Sequence, residues 1–155
     1  MNVNKPDLHT KIRLSVIAFT GSKEIREKVI HKLESYNGTW MENILRKMTY
    51  DREWDVALAA IMALSSGTSD KTLRRLKKLT TEYDEVTRAK AYISLLHVVM
   101  NRNRCVEKEK ALKWMRRKYR QEDKEYVKFY LAAELLKIEP YMNLVQKYYV
   151  EKEWV

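Results

Sequence analysis

Glycine and proline are scarce in this chain, which has three glycines and two prolines among its 155 residues. β-Sandwiches and β-barrels need many tight turns, and these two residue types supply most of them. Hydrophobic residues make up 45% of the chain and charged residues 34%, a balance typical of a globular domain and not of a disordered segment. The sequence therefore predicts a single all-α domain over residues 1–155, with short polar connections between its helices.

Residues that begin and end helices divide the chain into units. Ser22 is suited to cap the start of one helix and Ser69 or Asp70 the start of another, and Asn37-Gly38 is suited to end a helix. Thr39 followed by Glu42 has the spacing of a capping box, which predicts the start of another helix. The predicted units are an N-terminal capping helix at about 7–20 and four helix pairs at about 22–49, 52–80, 84–121 and 124–152.

One apolar spacing recurs in the first helix of three predicted pairs, at offsets of 0, 3, 7 and 10 residues after a glutamate. The three sets are Trp54, Ala57, Ile61, Leu64; Val86, Ala89, Ile93, Leu96; and Tyr126, Phe129, Ala133, Leu136. The capping helix has a stripe of its own that we expect to face the core, made of Leu8, Ile12, Val16 and Phe19. Any amphipathic helix has such spacing, but the shared glutamate and the second helix that follows each set favour a repeat.

With this pattern, most of residues 22–152 resembles the HEAT-like helical repeat family. In that family, antiparallel helix pairs stack into a curved solenoid, and the second helix of each pair tends to line the concave side. The resemblance implies a short α-solenoid closed at its start by the capping helix. Tetratricopeptide repeats are the alternative, because LAAELLKIEP at 131–140 looks like the end of such a repeat.

The formal net charge of +10 is concentrated in two segments. Residues 71–78 contain five basic residues and no acidic one, and residues 101–120 contain nine basic residues and two acidic ones, so the rest of the chain is slightly negative. Helical spacing within these segments aligns Lys71, Arg74, Arg75 and Lys78 on one predicted second helix, and Lys110, Lys113, Arg117 and Arg120 on the next. Such arrays bind phosphate backbones by releasing counterions. The sequence therefore predicts a module that binds nucleic acid, DNA or RNA, and a scaffold for an acidic or helical protein partner is the alternative.

KALKWMRRKY at 110–119 is similar to a segment of the HEAT-like alkylpurine DNA glycosylases, which have a Lys-Ala-aliphatic-x-Trp turn followed by arginine and an aromatic residue. EWDVALAA at 53–60 and VTRAKA at 86–91 resemble two further segments of those enzymes. The resemblance implies that Trp54, Arg88 and Trp114 approach a damaged nucleotide. Leu58 occupies the position of the catalytic aspartate, so the sequence favours a protein without base-excision activity.

No other motif in the sequence indicates an enzyme. The three histidines and Cys105 lack the spacing of metal ligands, and no phosphate-binding glycine loop occurs, so we expect neither a metal nor a cofactor. A single cysteine excludes an intrachain disulfide and favours a reducing, cytoplasmic location. The chain has no apolar run of the roughly 18 residues that would cross a membrane and no pattern of a signal peptide.

Overall fold

The structure is a computed structural model that describes residues 5–102 and 105–138. Within these ranges all regular secondary structure is helical, and no strand occurs, so the predicted all-α fold is confirmed. The elements are α1 (Leu8–Thr20), α2 (Lys23–Glu34), α3 (Thr39–Met48), α4 (Trp54–Ala63), a 3-10 turn (Leu64–Ser66), α5 (Asp70–Leu79), α6 (Glu85–Asn101), α7 (Cys105–Gln121) and α8 (Glu125–Ile138). The part of the predicted last pair from residue 139 to 152 lies outside the described residues.

Helix starts follow the local sequence at four positions, one of them Asp84 before α6, which accepts from the Thr87 amide at 2.7 Å. The side chains of Asp7, Ser22 and Ser69 each accept a hydrogen bond from the backbone amide three residues later, at 2.7, 3.4 and 3.2 Å. Each bond satisfies one of the four amides that a helix start leaves without a partner. The predicted caps at Ser22 and Ser69 are therefore confirmed.

The start of α3 differs from the predicted capping box. Gly38 precedes the helix with φ of 112°, and no side chain caps it. The buried carboxylate of Glu42 instead accepts hydrogen bonds from the backbone amides of Thr68, at 3.1 Å, and Ser69, at 3.2 Å. Glu42 thus caps α5 and not its own helix, because the unpaired amides at the start of α5 lie within its reach when α3 packs against α5.

The helices that begin the predicted pairs lie beside one another. α2 packs against α4, α4 against α6, and α6 against α8, while α3 contacts α5 and α1 contacts α2 and α3. α6 is central, because it also contacts α5, α7 and the 3-10 turn. The largest fully buried side chains are Ile30, Leu33, Met41, Leu45, Met48, Ile61, Leu64, Leu76, Leu96, Met115, Leu131 and Leu135.

On α6 three of the four residues of the recurrent apolar stripe are buried (Ala89, Ile93 and Leu96), together with residues outside the stripe, whereas Ile61 is the stripe residue among the four side chains that α4 buries. α4 buries Ile61 but leaves Trp54 51% exposed. On α8 the expectation is wrong, since Tyr126 and Phe129 are 37% and 42% exposed. The apolar side chains that α8 buries among its described residues are Val127, Leu131, Ala132 and Leu135. The buried face of α8 is rotated from the predicted one because α8 packs against both α6 and α7.

The expectation for α1 is also wrong. All four residues of its predicted core stripe are exposed: Leu8 by 73%, Ile12 by 56%, Val16 by 54% and Phe19 by 49%. The face that packs against the core instead comprises the partly buried Leu14 and Ile17 and the fully buried Ala18. α1 has apolar residues on two faces, and its contacts with α2 and α3 take up only one of them.

Candidate nucleic-acid interface

A groove of about 600 Å³ lies between α3 and α5. Among its described lining residues none is acidic and six are basic. Arg46 and Lys47 come from α3, and Lys71, Arg74, Arg75 and Lys78 come from α5, with Asn43 and Tyr50 completing the lining. The four α5 cations are those that the sequence predicts as binding residues, and the structure adds two from α3. This is the α3–α5 groove.

Arg46 and Lys47 were not predicted, because they lie outside the two segments in which the net charge is concentrated. The two residues lie in the last turn of α3, where cations also interact favourably with the helix dipole. Asn43, Arg46 and Lys47 share one side of α3 by helical spacing, and Tyr50 follows in the turn just after the helix. That spacing in a predicted second helix was the signal that could have identified them.

Tyr50 and Arg75 form a stacked pair in the α3–α5 groove. The Arg75 guanidinium carbon lies 3.6 Å from the centroid of the Tyr50 ring. Arg75 Nε donates to Thr49 Oγ1 at 2.8 Å, and Nη2 donates to the Thr49 carbonyl at 3.3 Å. Burial lowers the pKa of Arg75, but an arginine is effectively always protonated at neutral pH. Tyr50 is 68% exposed, so Arg75 covers one face of the ring and leaves the other open.

A buried carboxylate lies beneath this groove. Besides the two backbone amides at the start of α5, the hydroxyls of Ser69 and Thr72 donate to Glu42. Burial raises the pKa of Glu42, but these four hydrogen bonds outweigh burial and hold its pKa below the ordinary value. The negative charge of Glu42 is thus satisfied at the start of α5, and the same bonds fix α3 against α5.

A second groove, of about 560 Å³, lies between α5, α6 and α7. This α5–α7 groove is lined by the cations Arg74, Lys77, Arg102, Lys110 and Arg117, the acids Asp70 and Glu107, and the apolar residues Leu73, Leu95, Val99, Ala111 and Trp114. Arg74 lines both grooves, so the two adjoin. Of the predicted α7 cations, Lys110 and Arg117 lie in this groove, whereas Lys113 and Arg120 are exposed on α7 without lining either groove.

Both acids of the α5–α7 groove form ion pairs with the same arginine. Arg102 Nη1 lies 2.7 Å from Asp70 Oδ1, and Arg102 Nε lies 3.2 Å from Glu107 Oε2. The Arg102 side chain is only 9% exposed, whereas that of Asp70 is 68% exposed. Arg102 therefore contributes little positive charge to a ligand, and the two carboxylates stay at the surface.

Arg88, predicted from the glycosylase resemblance to approach a nucleotide, is committed to contacts within the protein. Its Nη1 donates to the carbonyls of Glu82 and Tyr83, both at 3.0 Å. Its Nη2 lies 2.8 Å from Glu122 Oε1, and the Arg88 side chain is 12% exposed. Arg88 thus ties the connection before α6 to the connection after α7.

The two tryptophans of that prediction have separate surroundings. Trp54 Nε1 donates to Asp84 Oδ2 at 3.4 Å at the start of α6. Trp114 is half-buried in the α5–α7 groove, where its ring centroid lies 5.8 Å from that of Tyr92. Leu58 is partly buried and packs against the core. The structure therefore gives these side chains individual packing and hydrogen-bonding partners.

Neither a metal site nor a membrane-spanning helix occurs within residues 5–102 and 105–138. No group of three histidine, cysteine, aspartate or glutamate side chains there is placed to hold a metal ion. His97 instead has a partner on α8, with its Nε2 atom 3.2 Å from Glu134 Oε2. None of the described helices has the length and apolar character needed to span a bilayer.

Comparisons of the chain with protein-family models, with curated proteins and with solved structures found no match in any of the three. No relative therefore supplies a function. The chemistry of the α3–α5 and α5–α7 grooves is the basis on which a function can be inferred.

Proposed function

We propose that the protein is a non-enzymatic helical-repeat module that binds the backbone of nucleic acid along the face formed by α3, α5 and α7. The observation that carries this proposal is the α3–α5 groove, with six cations and no acid among the described residues that line it. A groove of this composition attracts a polyanion, and each phosphate that it neutralises releases condensed counterions. DNA and RNA both supply such phosphates.

The proposed architecture is a short HEAT-like stack of antiparallel pairs: α2 with α3, α4 with α5, and α6 with α7. The succession of contacts from α2 to α4, α6 and α8 supports it. In a stack of this kind neighbouring helices lie about 8–10 Å apart. Cations on α3, α5 and α7 would then follow one strand of phosphates from Arg46 through Arg74 to Arg117.

A scaffold for an acidic helical segment of another protein is the second candidate function. The α5–α7 groove favours it, because the partly exposed Leu73, Ala111 and Trp114 contribute apolar surface to a groove that Lys77 and Lys110 also line. An amphipathic helix with one apolar and one acidic face would match both features. Such a partner fits the α3–α5 groove less well, where apolar aliphatic side chains are missing from the lining.

Base excision is not part of the proposed function. A glycosylase must stabilise the positive charge that develops on the sugar, which requires a nearby negative group. Leu58 supplies none at the position where the resembled enzymes have aspartate. Asp84, which does contact Trp54, is used as the cap of α6, where it accepts from the Thr87 amide at 2.7 Å.

The test replaces three exposed cations of the α3–α5 groove by alanine: Lys47, Lys71 and Lys78. We expect the triple variant to bind labelled nucleic acid at least about 10-fold more weakly at low salt. The slope of log K against log salt should fall by about two to three, since each phosphate contact contributes about 0.9 in a duplex and 0.7 in a single strand. Fluorescence anisotropy titrations at several salt concentrations measure both quantities.

The matched control removes the same charge elsewhere, by replacing the exposed residues Lys5, Lys28 and Lys32 with alanine. This control should keep the wild-type salt slope. Equal losses in the two triple variants would mean that only the overall charge attracts the ligand, and the groove would then not be the site. Tight binding of an acidic helical peptide together with no binding of nucleic acid would put the scaffold function first.

A further inference from the structure

Three side chains form a wall between the α3–α5 groove and a smaller depression of about 290 Å³. These are Tyr50, Arg75 and Lys78, which line both spaces. The remaining lining of the depression is apolar, hydroxylic or acidic: Thr49, Ala57, Ile61, Leu79, Glu82, Asp84 and Thr87. The α3–α5 groove therefore suits phosphates, while the carboxylates in the depression disfavour phosphate and its apolar surface suits an uncharged group.

The ring of Tyr50 stands at this wall in a fixed orientation. Arg75 stacks on one face of the ring, and the two hydrogen bonds from Arg75 to Thr49 hold the guanidinium in place. The ring is nevertheless 68% exposed. An aromatic ring that is fixed on one face and open on the other binds a planar group without first losing much conformational entropy.

A nucleobase is the planar group that accompanies phosphates in a nucleic acid. In a duplex the faces of the bases are covered by their neighbours, and only an unpaired base can stack on a protein side chain. Proteins that read a duplex commonly place a protruding helix or ribbon into its major groove, which is about 12 Å wide. Here the cations and the Tyr50 ring line a concave groove. The ligand therefore enters a groove of the protein, whereas a duplex reader inserts a protein element into a groove of the ligand.

We propose that Tyr50 is a base-stacking platform and that the ligand is single-stranded nucleic acid. One base stacks on the uncovered face of Tyr50, while the neighbouring phosphates lie in the α3–α5 groove. This inference rests on the proposed function, because it assumes that the groove binds nucleic-acid phosphates. It adds the strandedness of the ligand and the residue that recognises it.

The experiment compares Tyr50→Ala with the wild type on three probes of equal length: a single strand, its blunt duplex, and a backbone strand of abasic nucleotides. The wild type should bind the single strand more tightly than either of the other two. Tyr50→Ala should weaken binding of the single strand by about 5- to 150-fold, the range for loss of one stacked base. Its affinity for the abasic strand should not change, because the phosphate contacts persist.

Two variants control for effects on folding and on exposed tyrosines in general. Tyr50→Phe keeps the ring and should keep the affinity for the single strand. Tyr83→Ala removes a tyrosine that is 98% exposed and lies outside the α3–α5 groove, and it should bind like the wild type. Matching thermal unfolding curves for all variants would assign any loss to the ligand contact.

The inference is overturned if the duplex binds as tightly as the single strand, or if Tyr50→Ala weakens the single strand and the abasic strand equally. In either case salt-dependent binding by the wild type would leave the proposed function standing. If none of the three probes binds with a dependence on salt, the proposed function fails as well.

Discussion

The α3–α5 and α5–α7 grooves share α5 and are similar in volume, yet they treat their carboxylates differently. Under the first groove Glu42 is buried and satisfied by donors at the start of α5. In the second, Asp70 and Glu107 stay at the surface and take up the charge of Arg102. The two basic grooves therefore differ in positive potential. The difference depends more on where the acidic residues lie than on how many basic residues a segment contains.

The aromatic residues of the two grooves also differ in how accessible they are to a ligand. Tyr50 is 68% exposed and is held from behind by Arg75. Trp114 is half-buried, packs against the core and lies near Tyr92. The first ring is available to a ligand, whereas the second mainly holds α7 in place.

Among the variants that test this comparison, Glu42→Ala should cause the largest loss of stability. The change leaves the buried Thr72 hydroxyl, the partly buried amides of Thr68 and Ser69 and the partly buried Ser69 hydroxyl without their acceptor, and each buried group left so costs about 1–3 kcal/mol. We expect the free energy of unfolding to fall by about 3 kcal/mol or more, measured by urea denaturation. Glu109→Ala, at an exposed position on α7, should change it by no more than about 0.5 kcal/mol. Similar small losses in both variants would show that Glu42 does not cap α5.

The contribution of Glu42 should also depend on pH. Because its pKa is lowered in the folded protein, its stabilisation is fully present above the ordinary pKa of a glutamate, which is 4.5, and is lost as the pH falls below that value. Glu42→Gln has no carboxylate to protonate, so its stability should fall less than that of the wild type between neutral pH and about pH 3. Parallel losses of stability in the two proteins would contradict this assignment.

A smaller loss of stability is expected for Trp114→Ala. Truncating a fully buried tryptophan costs about 3–5 kcal/mol, and the half-buried position of Trp114 reduces this to about 2 kcal/mol. Tyr50→Ala removes a ring that is mostly in solvent and should cost about 0.5 kcal/mol or less. Thermal unfolding of the two variants tests the contrast. If Tyr50→Ala lowers stability more than Trp114→Ala does, Trp114 is not the ring that mainly contributes to packing.

The smallest expected effect is a gain in affinity for nucleic acid. Asp70→Asn combined with Glu107→Gln removes the surface acids of the α5–α7 groove and releases the charge of Arg102. Affinity for nucleic acid at low salt should rise by roughly 2- to 5-fold, because the potential of this groove becomes more like that of the α3–α5 groove. Anisotropy titrations measure the change. An unchanged affinity would place the nucleic acid on the α3–α5 groove alone.

Features set by local chemistry could be predicted from the sequence. Ser22 and Ser69 cap helices because the side-chain oxygen and the amide it accepts from are three residues apart in the chain. The buried face of α1 could not be predicted, since Phe19 and Ala18 mark two apolar faces and the choice depends on how α2 and α3 meet the helix. The predicted capping box of Thr39 and Glu42 is wrong for a similar reason. The amides that Glu42 binds are 26 and 27 residues away in the chain, so the contact depends on how α3 packs against α5.

The candidate site was predictable only in part. Arg74 and Lys78 stand in a run of like charge on one helix, which the sequence displays directly. Arg46, Lys47 and Tyr50 belong to the same groove, but they join it only because α3 packs against α5. A surface formed by two helices can be predicted by comparing equivalent positions of successive predicted second helices. Counting the charge within one segment does not reveal it.

The order of the helix contacts has a consequence for how the chain folds. α2, α4, α6 and α8 each contact the next in the series, so ordering one helix closes only short loops. Chains with such local contacts fold rapidly, and they open in parts, from the ends inward. α6 contacts helices on several sides and buries every side chain from Ala91 to Leu96, whereas α1 packs through one face. Amide protons of α6 should therefore be among the last to exchange with solvent and those of α1 among the first.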